Sequence, residues 1–206
     1  MFNQISLMQT VYPTHQALVE TLKNLTDDPL ESTGSNMVIY RGYPKADLMI
    51  IGEAPGAEED KIGKPFVGRS GQLLDKILQA VHFNIETDIY ITNTLKRRPP
   101  NNRNPKQEEL EYYFPFLAEE IRLVDPKIIL LAGKYAMLTI LQEKRGITKV
   151  RGQWVEQGGR WVMPIFHPAY LLRNPRKTPG SPKALMWEDI RAVRAKYDEL
   201  RNDGDG

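Results

Sequence analysis

The stretch "ADLMIIGEAPGAEEDKIGKPFVGRSGQLLDKILQAV", residues 46–81, decides the fold. Its first seven residues (46–52) are nearly continuous in apolar side chains, as expected of a strand covered on both faces. A glycine-rich loop (52–71) follows. Then comes a helical pattern with Leu74, Ile77, Leu78 and Val81 on one stripe and Ser70 as a candidate N-cap. Three more runs have strand character: "DIYITN" (88–93), "KIILLAG" (127–133) and "RWVMPIFH" (160–167). Helical patterns separate or follow them: "NPKQEELEYYFPFLAEEIRLV", "KYAMLTILQEK" and "KALMWEDIRAVRAKYDEL". Pro115 falls inside the first of these and predicts a kink or a restart. This alternation predicts an α/β domain, three layers α/β/α around a central, mainly parallel sheet of four strands.

The 206 residues suit one domain, large enough to bury a full core. Residues 1–36 are expected to form an N-terminal helical segment and 201–206 a flexible tail. The loops "RRPPNNRNP" (97–105) and "LRNPRKTPGSPK" (172–183) are too short to separate cores. No apolar run is long enough for a bilayer, and "MFNQISLMQTVYPTHQ" lacks the layout of a signal peptide. A cytoplasmic protein without a membrane partner is expected, with monomer as the default state. The chain has no cysteine and three histidines, which excludes disulfides and thiolate metal sites and argues against a His-rich zinc site. Residues 1–95 carry 7 Lys/Arg against 12 Asp/Glu, whereas residues 96–206 carry 21 against 14. Such a split suggests a basic face for a polyanion.

The glycine-rich loop looks like a phosphate cradle and fails as one. A P-loop needs G-x-x-x-x-G-K-[S/T]; here Glu58 replaces the first glycine and Pro65 follows Lys64. Ala54 breaks the dinucleotide pattern, and Glu53, Glu58, Glu59 and Asp60 would repel a phosphate. Phe66, between Pro65 and glycines, is either a stacking surface for a neutral ring or a core plug under the loop. Glu53 and Glu59 could order the loop, hold a water or stabilise nearby positive charge.

Ligands of open parallel sheets sit outside the carboxyl ends of the strands, where this sequence places Glu53, Asn93 and His167. A carboxamide at Asn93 suits the imide edge of a pyrimidine, or it closes the strand as an Asx-turn. His167 could donate to a developing anion, or bond local backbone. The proline-stiffened basic loops, with Lys96, Arg98 and Arg103 in one and Arg173 in the other, suit phosphates gripped without sequence reading.

The ordered set "GEAPGAEEDKIGKPFVGRSGQLLDKIL", "YITNTLKRRPPNNR", "KVRGQW" and "FHPAYLLRNP…PGSPK" resembles the family four uracil-DNA glycosylases, from about Met37 through Asp189. The resemblance implies a compact α/β enzyme that flips uracil out of DNA and hydrolyses its N-glycosidic bond, leaving an abasic site. It makes Phe66 the ring that stacks on uracil, Asn93 the reader of its Watson–Crick edge, and His167 the stabiliser of charge on the uracil O2. Glu53 and Glu59 become the carboxylates of the catalytic step, with Glu59 preferred for positioning water. Ala54 takes the place where another branch carries a water-activating aspartate. The HPAYLLR segment, with Tyr170 and Arg173, would meet DNA, and Leu171 would be the wedge.

The family also implies an iron–sulfur cluster on four cysteines. At the corresponding positions this chain has Leu25, Asp28, Arg97 and Tyr113, so no cofactor is expected. Packing around Tyr112, Tyr113 and Phe114 is expected to replace its tether. Two alternatives are a non-catalytic binder of uracil or abasic DNA, and a relative that stays covalently attached to abasic DNA. The second would need a basic, His-containing insertion after PFVG, which is absent here. A sliding-clamp partner is left open.

Overall fold

The computed structural model describes residues 11–202; the expectations for residues 1–10 and 203–206 lie outside the described residues. The expected helical N-terminal segment contributes α1 (His15–Lys23) and a 3-10 turn at Glu31–Thr33. Arg201 and Asn202 continue the last helix.

All four expected strands form: β2 (Leu48–Gly52), β3 (Ile89–Asn93), β4 (Ile128–Ala132) and β6 (Arg160–Ile165). They pair in parallel, β3 and β4 flanking β2 and β6 lying beyond β4. The sheet has six strands rather than four, in the order β1-β3-β2-β4-β6-β5. The additional edges are β1 (Tyr40–Gly42) and β5 (Val155–Gln157), each three residues long and antiparallel to its neighbour. Both are too short and too exposed to show a period in sequence, and such short edges limit unwanted pairing.

Side chains alternate across the pleat. Leu48, Ile50, Ile89, Ile91, Ile128 and Leu130 enter a core with α3 (Arg69–Gln79) and the final helix α8 (Pro182–Asn202). Met49, Ile51, Tyr90, Ile129 and Leu131 face α4 (Gln107–Val124) and α5 (Lys134–Leu141) on the other side. That is the expected three-layer arrangement. Helix α4 runs unbroken through Pro115. Pro115 and Glu111, whose carbonyl loses its helical partner, are both exposed, so water can take the freed bond.

The remaining helices are short: α2 (Ala57–Ile62), α6 (Ile147–Val150) and α7 (Pro168–Arg173). Helix α2 lies inside the glycine-rich loop, and its first turn holds Glu58, Glu59 and Asp60. Carboxylates there meet the positive end of the helix dipole, which accounts for most of the acid in that loop. No described helix is long and apolar enough to cross a membrane.

Candidate active site

A cleft of about 480 Å³ opens at the carboxyl ends of the parallel strands. Glu53, Ala54 and Glu59 line it from the segment after β2, Phe66 from the loop before α3, Asn93 from the end of β3, and His167 from the end of β6. Arg103 and Arg173 complete the set of expected residues around it.

Phe66 is a core residue that also borders the cleft. The side chain is 4% exposed and belongs to the core, yet it borders the cleft, its ring 5.6 Å from that of His167 at 30°. Its φ of 55° lies in the left-handed region, disfavoured for a bulky residue. Arg41 of β1 holds it there: Nε donates to the Pro65 carbonyl (2.8 Å), and Nη2 to the Phe66 carbonyl (3.1 Å) and Asp75 Oδ1 (2.5 Å). Sequence reasoning missed Arg41, because nothing along the chain links β1 to the loop.

Helix α3 starts after Gly68, not Ser70. Its cap is remote in sequence: Glu59 Oε1 accepts the N–H groups of Val67 (2.9 Å) and Gly68 (2.8 Å). Glu59 is thus buried and committed to shaping the loop beside Phe66. Glu53 is half-buried in the cleft. Desolvation raises its pKa above the usual carboxylate value, opposed by Lys134.

Asn93 is buried at the sheet edge, level with Gly52 on β2. Its backbone continues into a tie between strands: Thr94 N–H donates to the Gly52 carbonyl (3.0 Å), and Leu95 N–H to that of Glu53 (3.1 Å). His167 bonds local backbone and also borders the cleft. As N-cap of α7, its Nδ1 accepts from the Ala169 N–H at 3.2 Å. Burial, aided by Arg173 and opposed by Glu59, lowers its pKa to about 4. The ring is therefore neutral at pH 7, and with Nδ1 accepting, the proton sits on Nε2.

The residues expected on DNA divide. Arg173 is exposed at the cleft edge. Arg103 pairs with Glu109 through two nitrogens (2.9 and 2.5 Å), and Arg98 Nε donates to Asn102 Oδ1 at 2.7 Å. Tyr170 is half-buried against Phe166. Two expectations are overturned. Lys96 is wholly buried, because the chain after β3 turns back and places its ammonium against Glu120 of α4. Leu171 is 1% exposed and packs in the core, whereas the next residue, Leu172, is 37% exposed. Asn102 and Asn104 were not singled out from sequence but line the cleft. Asn101 and Asn102 both adopt positive φ, which asparagine tolerates better than most residues, and "PPNN" was the available signal.

Leu25, Asp28, Arg97 and Tyr113 do meet in space. Arg97 donates from Nε to Asp28 Oδ2 (2.7 Å), from Nη2 to the Leu25 carbonyl (3.1 Å) and from Nη1 to the Ser35 carbonyl. Tyr113 OH donates to Asp28 Oδ1 at 2.5 Å. A guanidinium, a phenol and one carboxylate do not fit an iron–sulfur cluster, which needs thiolates or comparable soft donors. The expected packing exists in part: Tyr112 and Tyr113 stack edge to face, and Tyr113 packs with Leu30, Leu95 and Leu110. Phe114 instead faces the sheet.

The family described as the uracil DNA glycosylase superfamily matches residues 39–191. A type-4 uracil-DNA glycosylase of Thermotoga maritima is 43% identical over 178 residues, covering 85% of this chain and 91% of the relative. A type-4 uracil-DNA glycosylase of Archaeoglobus fulgidus is 39% identical over 156 residues, 71% of this chain and 77% of the relative. A type-5 uracil-DNA glycosylase of Pyrobaculum aerophilum is 30% identical over 149 residues, with 65% and 66% covered.

Proposed function

Since the chain belongs to the uracil DNA glycosylase superfamily, we infer that it is a uracil-DNA glycosylase, a hydrolase of the N-glycosidic bond acting in DNA repair. The observation that carries this is the cleft, where Glu53, Phe66, Asn93 and His167 converge from separate elements. Uracil enters flipped out of the stack, its face against Phe66 and its edge against the Asn93 carboxamide. The C1′–N1 bond breaks, and its electron pair passes to the base. Nε2–H of neutral His167 donates toward O2, where the charge develops, from a position fixed before reaction. Water bonds C1′ and passes a proton to the cleft carboxylate that positions it, and the uracil leaves as its anion.

Glu59 is the sequence-based choice for positioning that water, but its bonds to Val67 and Gly68 give it a structural task. We therefore assign the water to Glu53, which also places negative charge near the oxocarbenium-like sugar. Arg173 and the rim of the 97–104 loop contact phosphates. Leu172, exposed beside the buried Leu171, is the wedge. The enzyme is of the type-4 kind and works without an iron–sulfur cluster, the Asp28–Arg97–Tyr113 node tying the N-terminal segment to the 97–104 loop. Uracil-containing DNA is the partner, and the protein acts as a monomer.

Excision from uracil oligonucleotides, single-stranded and as U·G and U·A duplexes, followed by alkaline cleavage, tests this with Asn93→Ala in parallel. Uracil-specific strand breaks that vanish in the variant are expected. No breaks from folded protein that still binds uracil DNA would make it a binder.

A further inference from the structure

A chain of buried polar side chains lies beneath the cleft and has no part in the chemistry above. Lys96 Nζ donates to Thr92 Oγ1 (2.6 Å), to the main-chain carbonyl of Asn93 (2.9 Å) and to Glu120 Oε2. Three acceptors call for the three donors of an ammonium. Glu120 also accepts from Tyr90 OH at 2.9 Å, and that oxygen lies 2.9 Å from His15 Nε2. Thr92 Oγ1 in turn donates to the Ile39 carbonyl at 2.7 Å. The side chains of Lys96 and Glu120 are both without solvent exposure.

A buried ion pair rarely outperforms apolar residues of similar size in stability, so stability is a poor account of this one. Its placement is more informative. Two of the three Nζ bonds end on the last two residues of β3, and one grips the peptide from which Asn93 projects. On the cleft side the following residues are tied to the segment after β2, with Thr94 Oγ1 donating to the Glu53 carbonyl at 2.5 Å. Asn93 is clamped from both sides.

We propose that the buried Lys96–Glu120 pair is the positioning device for Asn93: the ammonium, fixed by Glu120, sets the Asn93 carbonyl and so aims the carboxamide at the base. The inference rests on the glycosylase reading above. It is tested by replacing both charges with apolar groups, Lys96→Met with Glu120→Leu, in the full chain. Thermal midpoint, kcat and KM on a uracil oligonucleotide, and binding preference for uracil over thymine DNA are measured. The melting temperature should equal or exceed the wild-type value, because no unpaired charge is left behind. KM should rise as the base edge loses its partner, while kcat falls roughly 10- to 100-fold from the displaced carboxamide. The uracil preference should fall with it.

A merely structural pair would leave kcat and preference unchanged in the folded variant, and that result overturns the proposal. Should this variant not fold, Lys96→Met with Glu120→Gln, closer in shape, is read in the same way. Inert wild-type protein would instead defeat the glycosylase reading; the binding preference then still decides whether the pair positions Asn93.

Discussion

Gly52→Ala probes the construction of the site with one methyl group. Gly52 ends β2 with a backbone conformation open to any residue, so the change is purely steric. The new Cβ would lie 2.5 Å from Cε2 and Cζ of Phe66 and would also press on Asn93 Oδ1, where ordinary contacts are 3.4–4 Å. A relief of about 1 Å must come from the Phe66 ring or the Asn93 carboxamide. Arg41 holds the backbone of Phe66, and the ties after β3 hold that of Asn93, so the shift falls on these two cleft side chains. Overpacking costs about 1–3 kcal/mol, or roughly 2–12 °C in a chain of this size. A 1 Å misplacement costs on the order of 10²-fold in rate. Single-turnover excision and thermal melting are measured beside Gly159→Ala, a turn glycine at φ +74° with nothing within 4 Å of its would-be Cβ. That control loses about 1–2 kcal/mol from backbone strain and keeps its rate. Gly52→Ala with a wild-type rate would refute the claim that Phe66 and Asn93 form one packed unit.

Arg97→Ala strands the buried Asp28 carboxylate, at a cost of about 3–5 kcal/mol and hence roughly 6–20 °C in melting temperature; adding Asp28→Asn should restore more than half, and an unchanged melting temperature would remove the node as a tether. His167 has a folded pKa of about 4 against an ordinary 6.5, so below 6.5 the unfolded chain binds the extra proton. Its contribution, on the order of 3 kcal/mol, is complete above pH 6.5 and lost as pH falls toward 4. Melting curves of His167→Asn, which keeps an N-cap acceptor, should show a shallower pH slope across that window. Leu172→Ala should slow duplex excision about 10-fold and spare single strands, because only a duplex must be unstacked; equal effects on both would discard the wedge. Glu53→Gln should lower kcat by roughly 10²-fold or more, whereas Glu59→Gln should chiefly lower the melting temperature, and the reverse ranking would return the water to Glu59.

The parallel core was legible because buried strands are written as short continuous apolar runs, and "LMIIG", "IYITN" and "IILLA" meet only buried positions. The edges β1 and β5 were not, since three half-exposed residues carry no period. Glu53, Phe66, Asn93 and His167 could be placed from sequence because each ends or follows a strand or stands in the glycine-rich loop. Lys96 and Leu171 misled for a common reason: each has a neighbour of the same character. Among Lys96, Arg97 and Arg98, or Leu171 and Leu172, the local pattern names a segment, but burial of one partner depends on Glu120 or on the core beneath α7. That information is long-range and absent from any window of the chain.

The carboxylates of the opening loop follow from the same distinction between local and long-range demands. Glu58 satisfies a local one, the N-terminus of α2, while Asp60 also accepts the N–H of Asn36 at 2.7 Å, 24 residues away. Glu59, in the same turn, reaches across to two N–H groups at the start of α3 and so closes the loop on which Phe66 stands. Glu53 precedes the helix, donates nothing to loop closure through its side chain, and keeps a raised pKa from partial burial. A water-positioning carboxylate gains basicity from that same burial, whereas one oxygen of Glu59 is already taken by two backbone N–H groups. Two acids six residues apart are therefore separated by what each accepts, which is why the proposed role of holding the water falls to Glu53.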